Sequence, residues 1–318
     1  MKKYLLILIL FLVGCSSKSS IKIQNNKYVI DIPTASSTGA LYPLGYSLGK
    51  IWNENIENIR VNIQSSGGGI DNLNLIYDND ATLSLGVSSI VYEAYNGLDM
   101  FKGRENKNLR IIAGLYLNPN QVIVKKQINT LNDLKNTRFS QGSLGSTTEI
   151  ETKLHLKAAG LDIKDLKLEN ISPSESSDMI RNGGLDGIWI MAGVGAASVM
   201  EITSSTDTKV LNIDEDTFNN LKKDYPWYVR YKIPKGTYKN QKDDIYTTAI
   251  KMIIYTTKDL PDDIVYKLTK TMWENIDILK ETNKVLKDVK LEDAIKDIGE
   301  VPLAKGAEKY YREVGIIK

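Results

Sequence analysis

The sequence predicts an α/β protein with two successive lobes. Strand-like stretches such as residues 27–32 and 59–64 alternate with stretches whose apolar residues have helical spacing, such as residues 41–55. The alternation restarts after residue 117, and 318 residues are enough for two hydrophobic cores. Strands that alternate with helices favour βαβ units, so we expect parallel sheets.

The predicted elements follow this alternation through the first lobe. Gly97 is expected to end a helix, because glycine readily adopts the left-handed conformation of a helix C-terminus. The predicted strands are residues 27–32, 59–64, 81–87 and 109–117, and the predicted helices are residues 41–55, 69–80 and 88–97.

The second series begins with a new strand at residues 120–126. Thr130 is a predicted N-cap, and Pro261 is expected at a helix start. The other predicted strands are residues 137–141, 185–193 and 249–257, and the helices are residues 130–136, 146–160 and 261–276.

The late return of the chain to strand and helix after residue 234 indicates how the lobes are connected. We expect residues 27–117 and 235–318 to form lobe 1 and residues 118–234 to form lobe 2, with crossovers near residues 116–122 and 228–234. This is the type II periplasmic-binding-protein fold, in which hinge motion closes two α/β lobes around a ligand cleft. In open α/β sheets the ligand lies at the carboxyl ends of the strands.

The N-terminus has the pattern of a bacterial lipoprotein signal. Lys2 and Lys3 precede an apolar run at residues 5–13, which is shorter than the roughly 20 residues that span a bilayer. Cys15 follows at the expected cleavage point, so residues 1–14 are a predicted signal peptide and residues 15–26 a lipid-anchored tether. The alternative is an ordinary signal peptide that contains a cysteine by chance.

The composition argues against several classes of function. Cys15 and His155 are the only residues of their kinds, which disfavours cysteine–histidine, serine–histidine and histidine-based zinc sites. His155 is expected to pack within a lobe or lie on the surface. The 41 basic and 39 acidic residues nearly balance, so no nucleic-acid surface is predicted. No phosphate-binding loop or calcium loop is present, and we expect no metal or cofactor.

Three turns rich in glycine, serine and threonine each lie between a strand and a helix, at residues 34–43, 65–72 and 143–149. Hydroxyl and backbone N–H groups at a helix N-terminus attract anions. The turns therefore predict a cleft that binds a carboxylate. The alternative is that the glycines only allow tight turns.

These residues resemble the TAXI subclass of TRAP transporter solute-binding proteins over nearly the whole mature chain. Residues 34–45, TASSTGALYPLG, are similar to the family's TGSxxGxYYPLG motif. Residues 66–72, SGGGIDN, are similar to TGGSxEN, and residues 142–149, GSLGSTTE, to GAPGSGTE. Three further elements appear in the family's order at residues 186–197, 225–238 and 301–315.

Several positions depart from the family pattern. Gly69 replaces a serine, Gly195 replaces a proline, and Ala304 and Lys305 replace His-Pro. Ser88 and Ile90 stand where the family tends to have glutamine and aspartate. These changes leave the expected fold intact and bear on the identity of the ligand.

The resemblance implies a substrate-capture subunit, without enzymatic activity, that delivers a carboxylate such as glutamate, glutamine or 2-oxoglutarate to TRAP membrane subunits. Trp189 and Tyr231 are candidates to wall the cleft, and Arg230 and Lys232 are expected to face solvent. A sensor or surface lipoprotein that uses the same cleft without transport, and an enzyme on the same scaffold, are the competing hypotheses. The predicted ligand-binding residues are Ser36, Thr38, Gly39, Tyr42, Ser66, Gly67, Gly68, Asn72, Ser88, Gly145, Ser146, Thr148 and Gly193.

Overall fold

The computed structural model describes residues 21–37 and 41–318. Three predicted functional residues, Cys15, Thr38 and Gly39, lie outside the described residues. The strands of the described structure are β1 Lys22–Gln24, β2 Lys27–Pro33, β3 Ile59–Gln64, β4 Leu83–Val87, β5 Leu109–Lys125, β6 Arg138–Ser140, β7 Lys167–Glu169, β8 Gly187–Met191, β9 Thr208–Val210, β10 Val229–Ile233 and β11 Ile245–Thr257.

The helices begin and end close to the positions that their apolar spacing predicts. Gly97 caps α3 with φ 65°, as expected, and the Thr130 side chain caps the 3₁₀-helix at Leu131–Leu134. The α-helices are α1 Leu41–Asn55, α2 Gly69–Tyr77, α3 Ser88–Asn96, α4 Thr147–Ala158, α5 Pro173–Arg181, α6 Ala197–Ser205, α7 Glu215–Asp224, α8 Asp262–Glu274, α9 Ile276–Thr282 and α10 Lys305–Glu313.

Two long strands connect the lobes. β5 pairs antiparallel with β11 from Pro119 opposite Ala249 to Leu109 opposite Thr257, with two register shifts. The sequence predicted two separate strands here, at residues 109–117 and 120–126. The structure joins them into one strand of 17 residues, since pairing with β11 extends to Pro119 and pairing with β8 begins at Asn120.

The expectation of parallel sheets is only partly correct. Among the described residues the parallel pairings are β2 with β3, and β6 with both β7 and β8. β5 and β11 run in opposite directions, and β4, β8, β9 and β10 each pair antiparallel with one of them. The hinge strands therefore impose antiparallel pairing at the centre of the fold, and β1 also pairs antiparallel with β2.

The core is divided in the same way. Ile111 of β5 packs in a large first-lobe cluster with α1, α3 and α8. Farther along the strand, successive side chains point to opposite faces. Val122 and Val124 pack in one second-lobe cluster, and Ile123 packs in another on the other face of the sheet. One strand thus contributes to all three clusters.

The packing bears on where the lobes divide. Tyr238 and Ile245 pack with Ile188 in a second-lobe cluster, whereas Phe218 and Tyr228 join the first-lobe cluster. We therefore propose that the chain returns to lobe 1 within β11, after the position near residue 234 that the sequence indicated. Within residues 21–37 and 41–318, no helix is long and apolar enough to cross a bilayer.

Candidate functional site

A cavity of about 120 Å³ lies between the two lobes. Ser36 and the glycine turn at residues 67–69 line it from lobe 1, and Thr147 and Trp189 line it from lobe 2. A single water needs only about 10–15 Å³ on this measure, so the cavity has room for a small molecule.

Part of the predicted site lies at the wall of this cavity. The residues from the predicted set that line it are Ser36, Gly67, Gly68, Ser146 and Thr148. They come from all three turns that the sequence singled out, so the fold brings those turns together. Their contact with a ligand remains a prediction.

Other predicted residues lie away from the described wall of the cavity: Tyr42, Ser66, Asn72, Ser88, Gly145 and Gly193. Tyr42 lines a separate surface groove on α1. Ser88 is buried at the start of α3. A Cβ atom at Gly193 would lie 2.6 Å from Val285, so that glycine permits close packing.

Asn72 has a structural role that the sequence did not reveal. Its side chain is fully buried, and its Nδ2 donates to the Thr34 carbonyl at 2.8 Å. Its Oδ1 accepts a hydrogen bond from the Ser66 hydroxyl at 2.6 Å. Asn72 therefore holds the turn after β2 against the glycine turn, and its contact with the ligand stays a prediction.

Three of the glycine N–H groups that we expected to face the ligand have hydrogen-bond partners within the protein. Gly67 N–H donates to Asp71 Oδ2 at 2.9 Å, and Gly68 N–H donates to the Ser66 hydroxyl at 3.2 Å. In the other lobe, Gly145 N–H donates to Glu149 Oε2 at 3.2 Å. Side chains a few residues along the chain satisfy these donors, so the turns close on themselves.

The glycines instead allow the two lobes to approach each other. A Cβ atom at Gly67 would lie 3.2 Å from the Leu144 carbonyl oxygen, and one at Gly68 would lie 3.3 Å from Cα of Ser146. A Cβ atom at Gly69 would collide with the Thr147 hydroxyl. Gly68 also has φ 118°, which other residues rarely adopt. The turn is thus a contact surface between the lobes.

Six α-helices begin at the wall of the cavity. The residues at these helix starts that line it are Leu41 of α1, Gly69 of α2, Val87 before α3, Thr147 of α4, Pro173 of α5 and Ser198 of α6. The first N–H groups of a helix have no partner within it and carry partial positive charge. Their convergence favours negative charge in the cavity.

The fold also places residues of β5 at the wall that sequence reasoning missed. Asn118 is almost fully buried, and its Oδ1 has no hydrogen-bond partner. Tyr116 also lines the cavity, and burial raises the pKa of its phenol, which keeps the hydroxyl protonated. The predicted strands ended at residue 117 and began again at residue 120, so Asn118 was not considered for the site.

Behind Trp189 lies a buried polar network. Glu151 Oε2 accepts hydrogen bonds from Asn120 Nδ2 and the Tyr228 hydroxyl, both at 2.9 Å. Trp189 Nε1 donates to Asn120 Oδ1 at 2.7 Å. The network links α4, β5 and β8 near the hinge, and desolvation raises the pKa of Glu151 to about 7.

His155 belongs to the same network and is fully buried, in keeping with the packing role expected for it. Its Nδ1 lies 2.7 Å from the Glu151 carbonyl, which can only accept, so Nδ1 carries the proton. Nε2 then accepts from the Thr248 hydroxyl at 2.7 Å. Burial lowers the pKa of His155 to about 4 and keeps it neutral.

The other side chains considered from the sequence have simple positions. Trp189 is fully buried and also forms part of the cavity wall. Tyr231 packs against the second-lobe cluster that contains Ile123. Arg230 contacts Glu215 at 3.4 Å and Lys232 contacts Asp244 at 3.3 Å, and neither lines the described part of the cavity.

The departures from the family pattern have different structural consequences. Gly69 lies at the contact between the lobes, where its missing side chain gives Thr147 space. Ile90 is buried in the first core. Gly195 has φ 79°, a value that proline cannot adopt. Ala304 is buried at the start of α10.

The sequence profile of the NMT1-like family matches residues 32–315. The match covers most of the chain, which therefore belongs to this family. The fold agrees with that of several solved proteins.

One is PhnD1 from Prochlorococcus marinus in complex with methylphosphonate, which is 16% identical with a TM-score of 0.57, covering 91% of this chain and 99% of that one. Another is described as a putative L-cystine ABC transporter from Listeria monocytogenes, which is 14% identical with a TM-score of 0.54, covering 85% of this chain and 98% of that one. At this identity the likeness establishes the type II periplasmic-binding-protein fold.

The buried carboxyl group predicts a pH dependence of stability. The folded protein holds the Glu151 proton more tightly than the unfolded chain, whose glutamate pKa is near 4.5. The resulting stabilisation is complete below about pH 4.5 and is lost as the pH rises through about 7. Glu151→Gln removes this ionisation, so thermal melts should show the variant gaining stability relative to wild type between pH 5 and 8. Parallel curves for the two proteins would contradict the assignment.

The contact at Gly69 predicts that a methyl group there holds the lobes apart. Spin labels on Glu54→Cys and Lys164→Cys, in a Cys15→Ser background, report the distance between the lobes. Gly69→Ala should shift the distance distribution to longer values, because its Cβ meets the Thr147 hydroxyl. Adding Thr147→Ala removes that hydroxyl and should restore the original distribution. If Gly69→Ala leaves the distances unchanged, the turn does not limit closure.

Proposed function

We propose that this member of the NMT1-like family is an extracytoplasmic solute-binding protein that captures a small carboxylate between its lobes. The observation that supports this most directly is the convergence of helix N-termini from both lobes on one cavity. Such termini stabilise an anion without a basic side chain. The TAXI family is associated with glutamate, glutamine and 2-oxoglutarate, which supports a small carboxylate as the class of ligand.

The binding step uses the arrangement of the lobes. Three helices of each lobe begin at the cavity: α1, α2 and α3 in lobe 1, and α4, α5 and α6 in lobe 2. The complete site therefore exists only when the lobes are closed. Ligand binding would then shift the population toward the closed form by its preference for that form. The ladder between β5 and β11 is the proposed hinge, since both strands cross between the lobes.

The proposed fate of the ligand is transfer to a membrane transporter. The motif resemblance supports TRAP membrane subunits, with the protein held at the membrane through a lipid on Cys15. The Listeria structure is described as part of an ABC transporter, which makes an ABC-type membrane component the second candidate. A sensor that uses the same cleft without transport is a further alternative.

Uptake measurements separate these candidates. Vesicles that contain TRAP membrane subunits, with this protein added, should accumulate ligand when an ion gradient is imposed and no ATP is supplied. Uptake that requires ATP hydrolysis would favour the ABC component. If a bound ligand is never transported by either system, the sensor hypothesis gains support.

The binding site is tested by Ser146→Ala. Ser146 lines the cavity, and its hydroxyl accepts from Glu149 N–H at the start of α4. Loss of the hydrogen bond that the Ser146 hydroxyl would donate to the ligand, about 1 kcal/mol, should weaken ligand binding roughly fivefold in calorimetry. Asp214→Ala removes the comparable cap of α7 away from the described wall of the cavity and is the matched control. Equal weakening by both variants would indicate a general loss of stability.

A further inference from the structure

Among the described residues, the wall of the cavity has no ionisable group that would be charged at neutral pH. These residues are glycine, alanine, serine, threonine, asparagine, tyrosine, proline and larger apolar types. In the sequence, residues 38–40 are Thr-Gly-Ala, none of which has a charged side chain. Asp71, close to the glycine turn, accepts the Gly67 N–H and does not line the cavity.

The absence of charged side chains in the described wall discriminates between ligands that differ only in an amino group. A carboxylate is stabilised by the surrounding helix N-termini. An ammonium group in the same cavity meets those positive ends and finds no carboxylate, and burial of an unpaired charge is costly. The unpartnered Oδ1 of Asn118 can accept one hydrogen bond, but a neutral amide does not offset a full positive charge.

The rest of the wall indicates the body of the ligand. Leu41, Tyr116, Trp189, Met191 and Met252 line the cavity with apolar or aromatic surface. A second carboxylate on the ligand would lie against this surface without a cation to pair with. A branched or otherwise apolar group is a better match, because its burial is favourable.

We propose that the ligand is a monocarboxylate with an apolar body and no ammonium group, such as a 2-hydroxy or 2-oxo acid with a branched side chain. This rests on the proposed function and narrows it, because it disfavours amino acids and dicarboxylates. The cavity thus selects its ligand because its described wall has no charged side chain that could pair with an ammonium group or with a second carboxylate.

Calorimetric titration of the purified protein with matched probes tests the proposal. The probes are 2-hydroxy-4-methylpentanoate, 4-methyl-2-oxopentanoate and leucine, which share one carbon skeleton, with 2-oxoglutarate and glutamate as dicarboxylates. The hydroxy and oxo acids should bind at least tenfold more tightly than leucine and more tightly than both dicarboxylates.

Asn118→Asp provides a charge-reversal test at the same position. The new carboxylate should weaken binding of the hydroxy acid and strengthen binding of leucine. The difference in affinity between these two probes should therefore become smaller or change sign. Asn182→Asp, an equal change in charge at the exposed end of α5, should leave both affinities unchanged.

The outcomes separate this inference from the function on which it rests. Binding of leucine or glutamate as tight as that of the hydroxy acid would overturn the inference and leave a carboxylate-binding protein. Tighter binding of 2-oxoglutarate than of the hydroxy acid would overturn the inference that the ligand has a single carboxylate. Failure of all five probes to bind would remove the proposed function together with the inference.

Discussion

The antiparallel ladder between β5 and β11 is the constraint on which the rest of the structure depends. It runs from the first-lobe core, at Leu109, to the boundary of the second-lobe core, at Pro119. Strands from both lobes add to its edges, so the two lobes share one continuous sheet. The cavity lies beside this ladder, and Tyr116, Asn118 and Met252 reach its wall from the two hinge strands. A change in the angle between the lobes therefore changes the cavity directly.

The glycine turn shows how close approach and binding are combined. Internal hydrogen bonds satisfy the N–H groups of Gly67 and Gly68, and the missing side chains let the turn reach residues 144–147 of the other lobe. The anion-favouring groups are instead the first amides of the surrounding helices. The turn thus contributes by shaping the closed state, and the helices contribute the electrostatic potential.

Ionisable groups near the cavity are kept behind its wall. Glu151 and His155 are fully buried on the far side of Trp189, where burial raises the pKa of the carboxyl and lowers that of the imidazole. Both shifts favour the neutral forms, so the network carries less charge than the same groups would carry in water. The cavity itself is left neutral, and this makes the charge of the ligand the basis for discrimination.

The sequence by itself determined the α/β class, most element positions and the three turns that meet at the cavity. These are local properties: apolar spacing, helix caps and turn residues act over a few positions along the chain. Only the tertiary structure decided that residues 109–125 form one strand, because pairing with β11 extends to Pro119 and pairing with β8 begins at Asn120. It also decided that Asn72 supports the turns while Asn118 faces the cavity, since both roles depend on contacts with residues distant in sequence.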